Sequence, residues 1–361
     1  MRCITNLERI LYSPETVHNL TQLYTFKGKD FYYEDVLKQY MNQIVKNTIE
    51  RDVMASSKIL NLDVNENRLK LIVKKNSEPK TKHERIVRNL KSIFEIIQQQ
   101  GTELDLTSNE FVRLGDKLFK DVTRFDYSSD VKTVKVNLLE ERKRISRREL
   151  VDEEIKDYSN AKYRYKIEIT QVITNFYIDL LNMKCFNLAN EYMSLIITYC
   201  LLFSERFNVF KYVSFFEYYL KNINEFHSLE QEASYGWENG YSKTETLDAK
   251  FIACMLEGYA KVEKMVNDFK FDKNLRKVDN VESVIMKLGD TFSREDIKNK
   301  VPNLSDSTIN RALVKLRNEG KIRPDGTGRS AKWVRLVPDE LFTANTMQLN
   351  IFNFIKTDEG E

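Results

Sequence analysis

Histidine, glycine and proline are scarce in this 361-residue chain, which holds three His, eleven Gly and five Pro. The imidazoles, His18, His83 and His227, stand far from one another and from acids at ligand spacing, which excludes a zinc site or nucleophile–base constellation of the usual patterns. No glycine falls between Gly115 and Gly236, so a glycine-lined phosphate cradle is excluded from the middle third. Gly326 and Gly328 flank a single threonine with no helical segment after them, a turn rather than a dinucleotide fingerprint. The four cysteines, Cys3, Cys185, Cys200 and Cys254, never form Cys-x-x-Cys, which argues for reduced thiols over a zinc ribbon or disulfide framework. The longest apolar stretch, 193–203, is broken by Ser, Thr and Tyr. It falls short of the about 20 residues needed to span a bilayer. Glu8 and Arg9 interrupt the N-terminus, so it does not read as a signal peptide. These absences predict a soluble, cytoplasmic protein with no membrane partner.

What is present is a chain 42% hydrophobic and 31% charged, enough to bury a sizeable core beneath a heavily solvated surface. Few breakers and abundant Leu, Ile, Lys and Glu predict a mainly α architecture. Residues 35–54 carry Val36, Leu37, Tyr40, Ile44 and Ile49 as a core stripe, and 85–99 repeat the pattern with Ile86, Leu90, Ile93, Phe94 and Ile97. Gly101 sits where that second helix should stop. Val131, Val134 and Val136 alternate with polar residues as a short strand would, and the charge run 140–148 reads as a solvated loop or helix face. Segments 167–181, 190–203, 213–232 and 246–269 are strongly apolar helices expected to form the packed centre, with Phe215, Phe216, Tyr218, Tyr219 and Phe226 in the core. A charged linker is expected over 270–277.

The C-terminal segment carries the clearest mechanism. Residues 281–288 form an apolar-faced helix ended by Gly289; Ser293 caps a second through Lys300; Ser305 caps a third that stops before Gly320. Three short helices at this spacing predict a helix-turn-helix. In the third, Ile309, Ala312, Leu313 and Leu316 make the buried stripe. That leaves Ser307, Thr308, Asn310, Arg311, Lys315 and Arg317 as candidate DNA contacts. Residues 321–335 read as strand, turn, strand: a wing offering Arg329 and Lys332 to phosphates. Segment 305–335 holds eight basic residues against three acids, a local charge of +5. The whole chain sums to +3, so the remainder is −2: a basic module on a mildly acidic body.

Three further stretches, in order along the chain, resemble one known family. They are Met54-Ala-Ser-Ser-Lys-Ile-Leu-Asn61, then Lys211-Tyr-Val-Ser-Phe-Phe-Glu-Tyr-Tyr-Leu-Lys-Asn-Ile-Asn-Glu-Phe226, then Ala233-Ser-Tyr-Gly-Trp-Glu-Asn239. With the winged helix after them, they resemble the Fic family over most of residues 30–336. The resemblance implies a mainly α, Fic-like helical domain with a short β element, followed by a winged helix-turn-helix. It is divided as 1–124 (N-terminal helical region), 125–270 (Fic-like core), 278–337 (winged helix) and 338–361 (tail).

Active members carry His-Pro-Phe-x-(Asp/Glu)-Gly-Asn-Gly-Arg-x-x-Arg and transfer AMP from ATP to a protein hydroxyl. In such a motif the His takes the hydroxyl proton and glycines let backbone N–H groups close on phosphates. The acid holds Mg²⁺ and the arginines balance phosphate charge. The matching stretch here is Lys184-Cys-Phe-Asn-Leu-Ala-Asn-Glu-Tyr-Met-Ser-Leu195. Lys184 replaces the His, Leu188 the acid, Ala189 and Glu191 the glycines, and Tyr192 and Leu195 the arginines; Phe186 and Asn190 survive. The family's inhibitory Glu, which pairs with a motif arginine, corresponds to Leu60. Lock and keyhole are lost together, as a retired site predicts.

The expectation is therefore a catalytically degenerate Fic-like regulator or scaffold that binds double-stranded DNA, with no cofactor and no metal. The alternative is an active or altered nucleotidyltransferase using ATP and Mg²⁺, with Lys184 or Asn190 in a changed chemistry. A second alternative is a protein-interaction module. A homodimer would suit two DNA half-sites. In the tail, Gln348, Leu349, Ile351 and Phe352 are similar to the short peptide by which bacterial proteins engage the replication sliding clamp.

Overall fold

The longest apolar segments of the sequence become the innermost helices. In a computed structural model, which describes residues 2–100, 105–130, 132–135, 142–165, 167–274, 281–285, 288–301, 304–326 and 332–336, the chain forms two units, Met1–Met265 and Val266–Glu361. In the first unit α8 (Ile169–Met183) and α9 (Asn190–Ser204) are buried along most of their length. Helices apolar nearly all round are stable only when surrounded. The surrounding layer includes α3 (Met41–Ile59), α5 (Lys82–Gln100), α7 (Arg147–Ser159), α10 (Phe215–Lys221), α11 (Ile223–Ser234) and α12 (Glu245–Asn274). Outside it lie α1 (Pro14–Lys27), α2 (Asp30–Leu37), α4 (Glu66–Lys75) and α6 (Ser108–Leu118). The aromatic residues expected in the core are there: Phe215, Phe216, Tyr219 and Phe226 are buried and Tyr218 is half-buried. Tyr199 gathers Phe94, Phe203, Phe215 and Phe216 around it at centroid distances of 5.0–5.8 Å. Each such ring contributes about 1.5–3 kcal/mol by its burial.

Two buried carboxylates tie distant segments into this core. Asp52 of α3 accepts from Ser214 Oγ at 2.5 Å and Phe216 N at 3.1 Å, joining α3 to the start of α10. Asp179 of α8 accepts from Cys3 N (2.7 Å), Ile4 N (2.9 Å) and Trp237 Nε1 (2.6 Å). It thereby pins both the N-terminal 3-10 helix, Cys3–Arg9, and the turn after α11. That turn needs Gly236, whose φ of +76° only glycine adopts without strain.

Several expectations need correction. Segment 213–232 is two helices, separated at Asn222, whose backbone leaves helical angles (φ −110°, ψ 23°) and whose Nδ2 donates to Tyr218 O at 2.8 Å. The helix expected over 35–54 is likewise split, by the 3-10 turn Lys38–Tyr40 between α2 and α3. The charge run 140–148 is neither loop nor helix face at its centre. Residues Arg142–Ile145 form β2, antiparallel to β1 (Lys132–Lys135), with Ile145 buried as its anchor. The capping box of Ser146 and Glu149 then starts α7. Finally, α12 continues to Asn274, so the first half of the expected linker is helical. The four cysteines are free thiols. Among the described residues no helix is long and apolar enough to cross a membrane.

The second unit contains a helical turn α13 (281–285), β3 (Thr291–Phe292), α14 (Arg294–Lys300), α15 (Asp306–Asn318), β4 (Ile322–Asp325) and β5 (Lys332–Arg335). The caps fall where expected. Ser293 Oγ accepts from Asp296 N at 3.1 Å, Ser305 Oγ accepts from Thr308 N at 3.3 Å, and Gly320, with φ +71°, ends α15. The sheet order is β3-β5-β4, all antiparallel, and Pro324 lies in edge strand β4, where its missing N–H costs no ladder bond. One core joins these elements, built from Val281, Ile285, Phe292, Ile297, Leu313 and Trp333 among others.

Candidate functional site

The loop between α8 and α9 is built on two left-handed residues, Lys184 (φ +48°) and Ala189 (φ +45°). A residue with a Cβ pays about 1 kcal/mol for that conformation. The loop therefore keeps a glycine-type backbone at 189 without the glycine. Packing supplies the constraint. Phe186 is buried between Phe125 and Tyr127, at centroid distances of 5.5 and 5.6 Å. Phe125 in turn lies so close to Gly115 that a Cβ there would stand 2.2 Å from its ring. Asn190 Oδ1 accepts from Phe186 N at 3.2 Å, while its Nδ2 reaches Leu180 O and Leu181 O at 3.4 Å. The two residues that match the family motif thus hold the loop's shape.

The substituted positions divide by where they point. Leu195 is in the core, and Tyr192, 4% exposed, packs its ring on Phe216 at 5.8 Å. Burial raises the Tyr192 phenol above its usual range, and its hydroxyl lies beside Ser56 without a well-formed hydrogen bond. Lys184 and Glu191 are exposed and Leu188 half-buried on an open cleft of about 800 Å³. Leu188, Tyr192 and Leu195 do not fill this space. Leu60 lines it too, so the structure brings the end of α3 to the loop between α8 and α9.

The opposite wall went unrecognised in the sequence. His227, Glu230, Gln231 and Ser234 recur at i, i+3, i+4 and i+7 on α11 and all line the cleft. That polar spacing was the available signal, masked by the aromatic run beside it. Glu230 is buried and accepts from Tyr177 OH (2.7 Å) and Tyr219 OH (2.9 Å); burial raises its carboxyl above the usual range despite those bonds.

These residues do not fit a magnesium nucleotide. Leu188 offers no carboxylate for the metal. Glu191 already occupies the first turn of α9, where it satisfies the helix dipole and repels phosphate. Neither buried arginine position supplies a cation, and among the described residues no group of three or more His, Cys, Asp or Glu is placed to hold a metal.

In the second unit, α15 turns Ile309, Ala312, Leu313 and Leu316 inward and exposes Ser307, Asn310, Arg311, Lys315 and Arg317. Thr308 is half-buried, with Oγ1 2.9 Å from Ser305 Oγ, and belongs to the cap. Some of the positive charge is answered within the unit: Lys321 meets Glu282 (2.5 Å) and Glu319 (2.9 Å), Arg335 meets Asp290 (2.8 Å), and Lys315 meets Glu319 (3.7 Å). Arg311, Arg317, Arg323 and Lys332 are exposed with no carboxylate partner among the described residues. Arg329 and the tail residues Gln348, Leu349, Ile351 and Phe352 lie outside the described residues.

The architecture has solved counterparts. The chain is similar to a Fic family protein from Desulfovibrio desulfuricans G20, with a TM-score of 0.55 and 10% identity over 91% of this chain and 98% of that one. It is also similar to a Fic domain containing signaling protein from Bacteroides thetaiotaomicron VPI-5482, with a TM-score of 0.52 and 12% identity over 69% of this chain and 97% of that one. No family model and no curated protein matches the sequence. The fold is Fic-like and mainly α.

Proposed function

We propose that this is a Fic-like body whose cleft has lost AMP transfer, joined to a winged helix that binds duplex DNA, and that the protein acts as a regulator or scaffold. The observation that carries the reading is the exposed face of α15, where Ser307, Asn310 and Arg311 offer donors and acceptors to base edges and Lys315 and Arg317 offer charge to phosphates. The order α13, β3, α14, α15, β4, β5 supports it, with β4 and β5 as the wing. Lys332 at the start of β5, together with Arg329, is suited to backbone phosphates. Full-length protein should bind a duplex with steep salt dependence, and Arg311→Ala with Lys315→Ala should weaken it at least about tenfold. An unchanged affinity would contradict the reading.

A second reading, nucleotide transfer, draws on the cleft being open rather than collapsed. It predicts label transfer from radiolabelled ATP and Mg²⁺ to the protein or a lysate target, lost on Lys184→Ala. The loss of the acid, glycine and arginine positions favours no transfer at all. A protein-interaction module would instead show a stable partner and no DNA affinity. Pairing of two copies on two half-sites, and docking of Gln348, Leu349, Ile351 and Phe352 on a sliding clamp, extend the DNA reading. A clamp pull-down indifferent to Phe352→Ala would exclude the latter.

A further inference from the structure

Glu230 is 8% exposed, yet it lines the open cleft beside the loop between α8 and α9. One of its oxygens is committed to the core: Oε1 accepts from Tyr177 OH at 2.7 Å and Tyr219 OH at 2.9 Å, tying α11 to α8 and α10. The other, Oε2, accepts from none of the described residues and is not sealed from solvent. Because Glu230 forms part of the cleft wall, that oxygen opens onto the cleft. Two buried tyrosines thus fix one edge of a carboxylate and present its other edge to a space of about 800 Å³.

Packing alone does not require a charge there. Glutamine would offer the same two tyrosines a carbonyl acceptor without the cost of burying a carboxylate. That cost shows in the carboxyl itself: burial raises it above its usual range despite both hydrogen bonds and the nearby His227, and the charge of Glu191 raises it further. Glu191 stands exposed in the first turn of α9 and lines the same cleft. With the His227 imidazole neutral, the cleft lining holds one cation, Lys184, against the two carboxylates of Glu191 and Glu230. Leu60, Leu181 and Leu188 add apolar surface to the same walls. The cleft therefore combines a preset hydrogen-bond acceptor, an excess of negative charge and a hydrocarbon lining.

We propose that the cleft binds a small aliphatic diamine, one ammonium donating to Glu230 Oε2, the other drawn to Glu191, and the methylene chain lying on Leu60, Leu181 and Leu188. An ammonium carries three donors and no acceptor, so it satisfies the open edge of Glu230 and answers two like charges at once. A phosphate or carboxylate ligand meets the reverse, two negative side chains. A bare metal ion is disfavoured as the occupant, because among the described residues no three or more ligating His, Cys, Asp or Glu converge. The proposal deepens the reading of this cleft as one that has lost AMP transfer and rests on it; the DNA reading stands on other residues.

The test is a calorimetric titration of full-length protein with putrescine, the four-carbon diamine, set beside the corresponding diol and magnesium ATP. Putrescine should bind saturably and the uncharged diol should not. Glu230→Gln keeps an acceptor for Tyr177 and Tyr219 while removing the charge. Its thermal midpoint should therefore hold or rise while putrescine affinity falls at least about tenfold. Unchanged affinity in that variant overturns the proposal. Glu191→Lys alters an exposed side chain and so tests the site without disturbing the core; it should weaken putrescine about fivefold, and undiminished binding there also overturns the proposal. Equal affinity for the diol does the same, since charge would then play no part. If neither putrescine nor magnesium ATP binds, the proposal falls and the loss of AMP transfer stands. Binding of magnesium ATP in place of putrescine overturns both.

Discussion

At residue scale, buried carboxyl groups set the behaviour with pH. Burial pushes Asp52 up to about 7, against three hydrogen bonds that pull it down, and pushes Asp30 and Asp248 up to about 6. A carboxyl whose folded pKa is raised holds its proton more tightly when folded than unfolded. Stability therefore falls as pH climbs from about 4 through about 7, and the loss is complete above that. Urea midpoints across this range should fall with pH, and Asp52→Asn should make the fall shallower. An identical slope in the variant would mean that Asp52 keeps an ordinary pKa. Gly115 gives a second residue-scale outcome. A Cβ 2.2 Å from the Phe125 ring must displace the Phe125–Phe186 stack, so Gly115→Ala should cost about 1–3 kcal/mol by thermal or denaturant unfolding.

At element scale, what could be read in advance depended on whether a segment's own residues determined its shape. The stripe of α5 and the caps at Ser293 and Ser305 are local signals, and the structure keeps them. β2 carries Arg142, Lys143 and Arg144 in four residues, so neither alternation nor propensity announces a strand; pairing with β1 and burial of Ile145 decide it. The break at Asn222 is one residue leaving helical backbone angles, which periodicity cannot see. The cleft was half legible. Leu60 and the loop over 184–192, both singled out in the sequence, line one cleft, whereas the α11 wall of His227 and Glu230 was hidden because its partners come from α8 and α10. For α15 the prediction is structural: Leu313, 1% exposed, should cost about 2–5 kcal/mol of the second unit's stability on change to Ala. A loss below about 1 kcal/mol would show that this core is not packed as described.

At the scale of the whole molecule, charge and cleft chemistry point the same way. The body has a Fic-like fold, while the loop between α8 and α9 is fixed by Phe186 and Asn190, carries Glu191 at its helix start and is followed by Tyr192 and Leu195 in the core. Incubation with radiolabelled ATP and Mg²⁺ should leave the protein and a lysate unlabelled. The proposed DNA binding rests on the basic segment 305–335. Its most direct test is the affinity of full-length protein for duplex DNA as salt is raised from 50 to 200 mM, roughly the range over which phosphate contacts lose several orders of magnitude of binding. The account predicts a steep linear fall in log K that Arg311→Ala with Lys315→Ala makes both weaker and shallower. Binding that is absent, or that ignores both salt and those two residues, would contradict it.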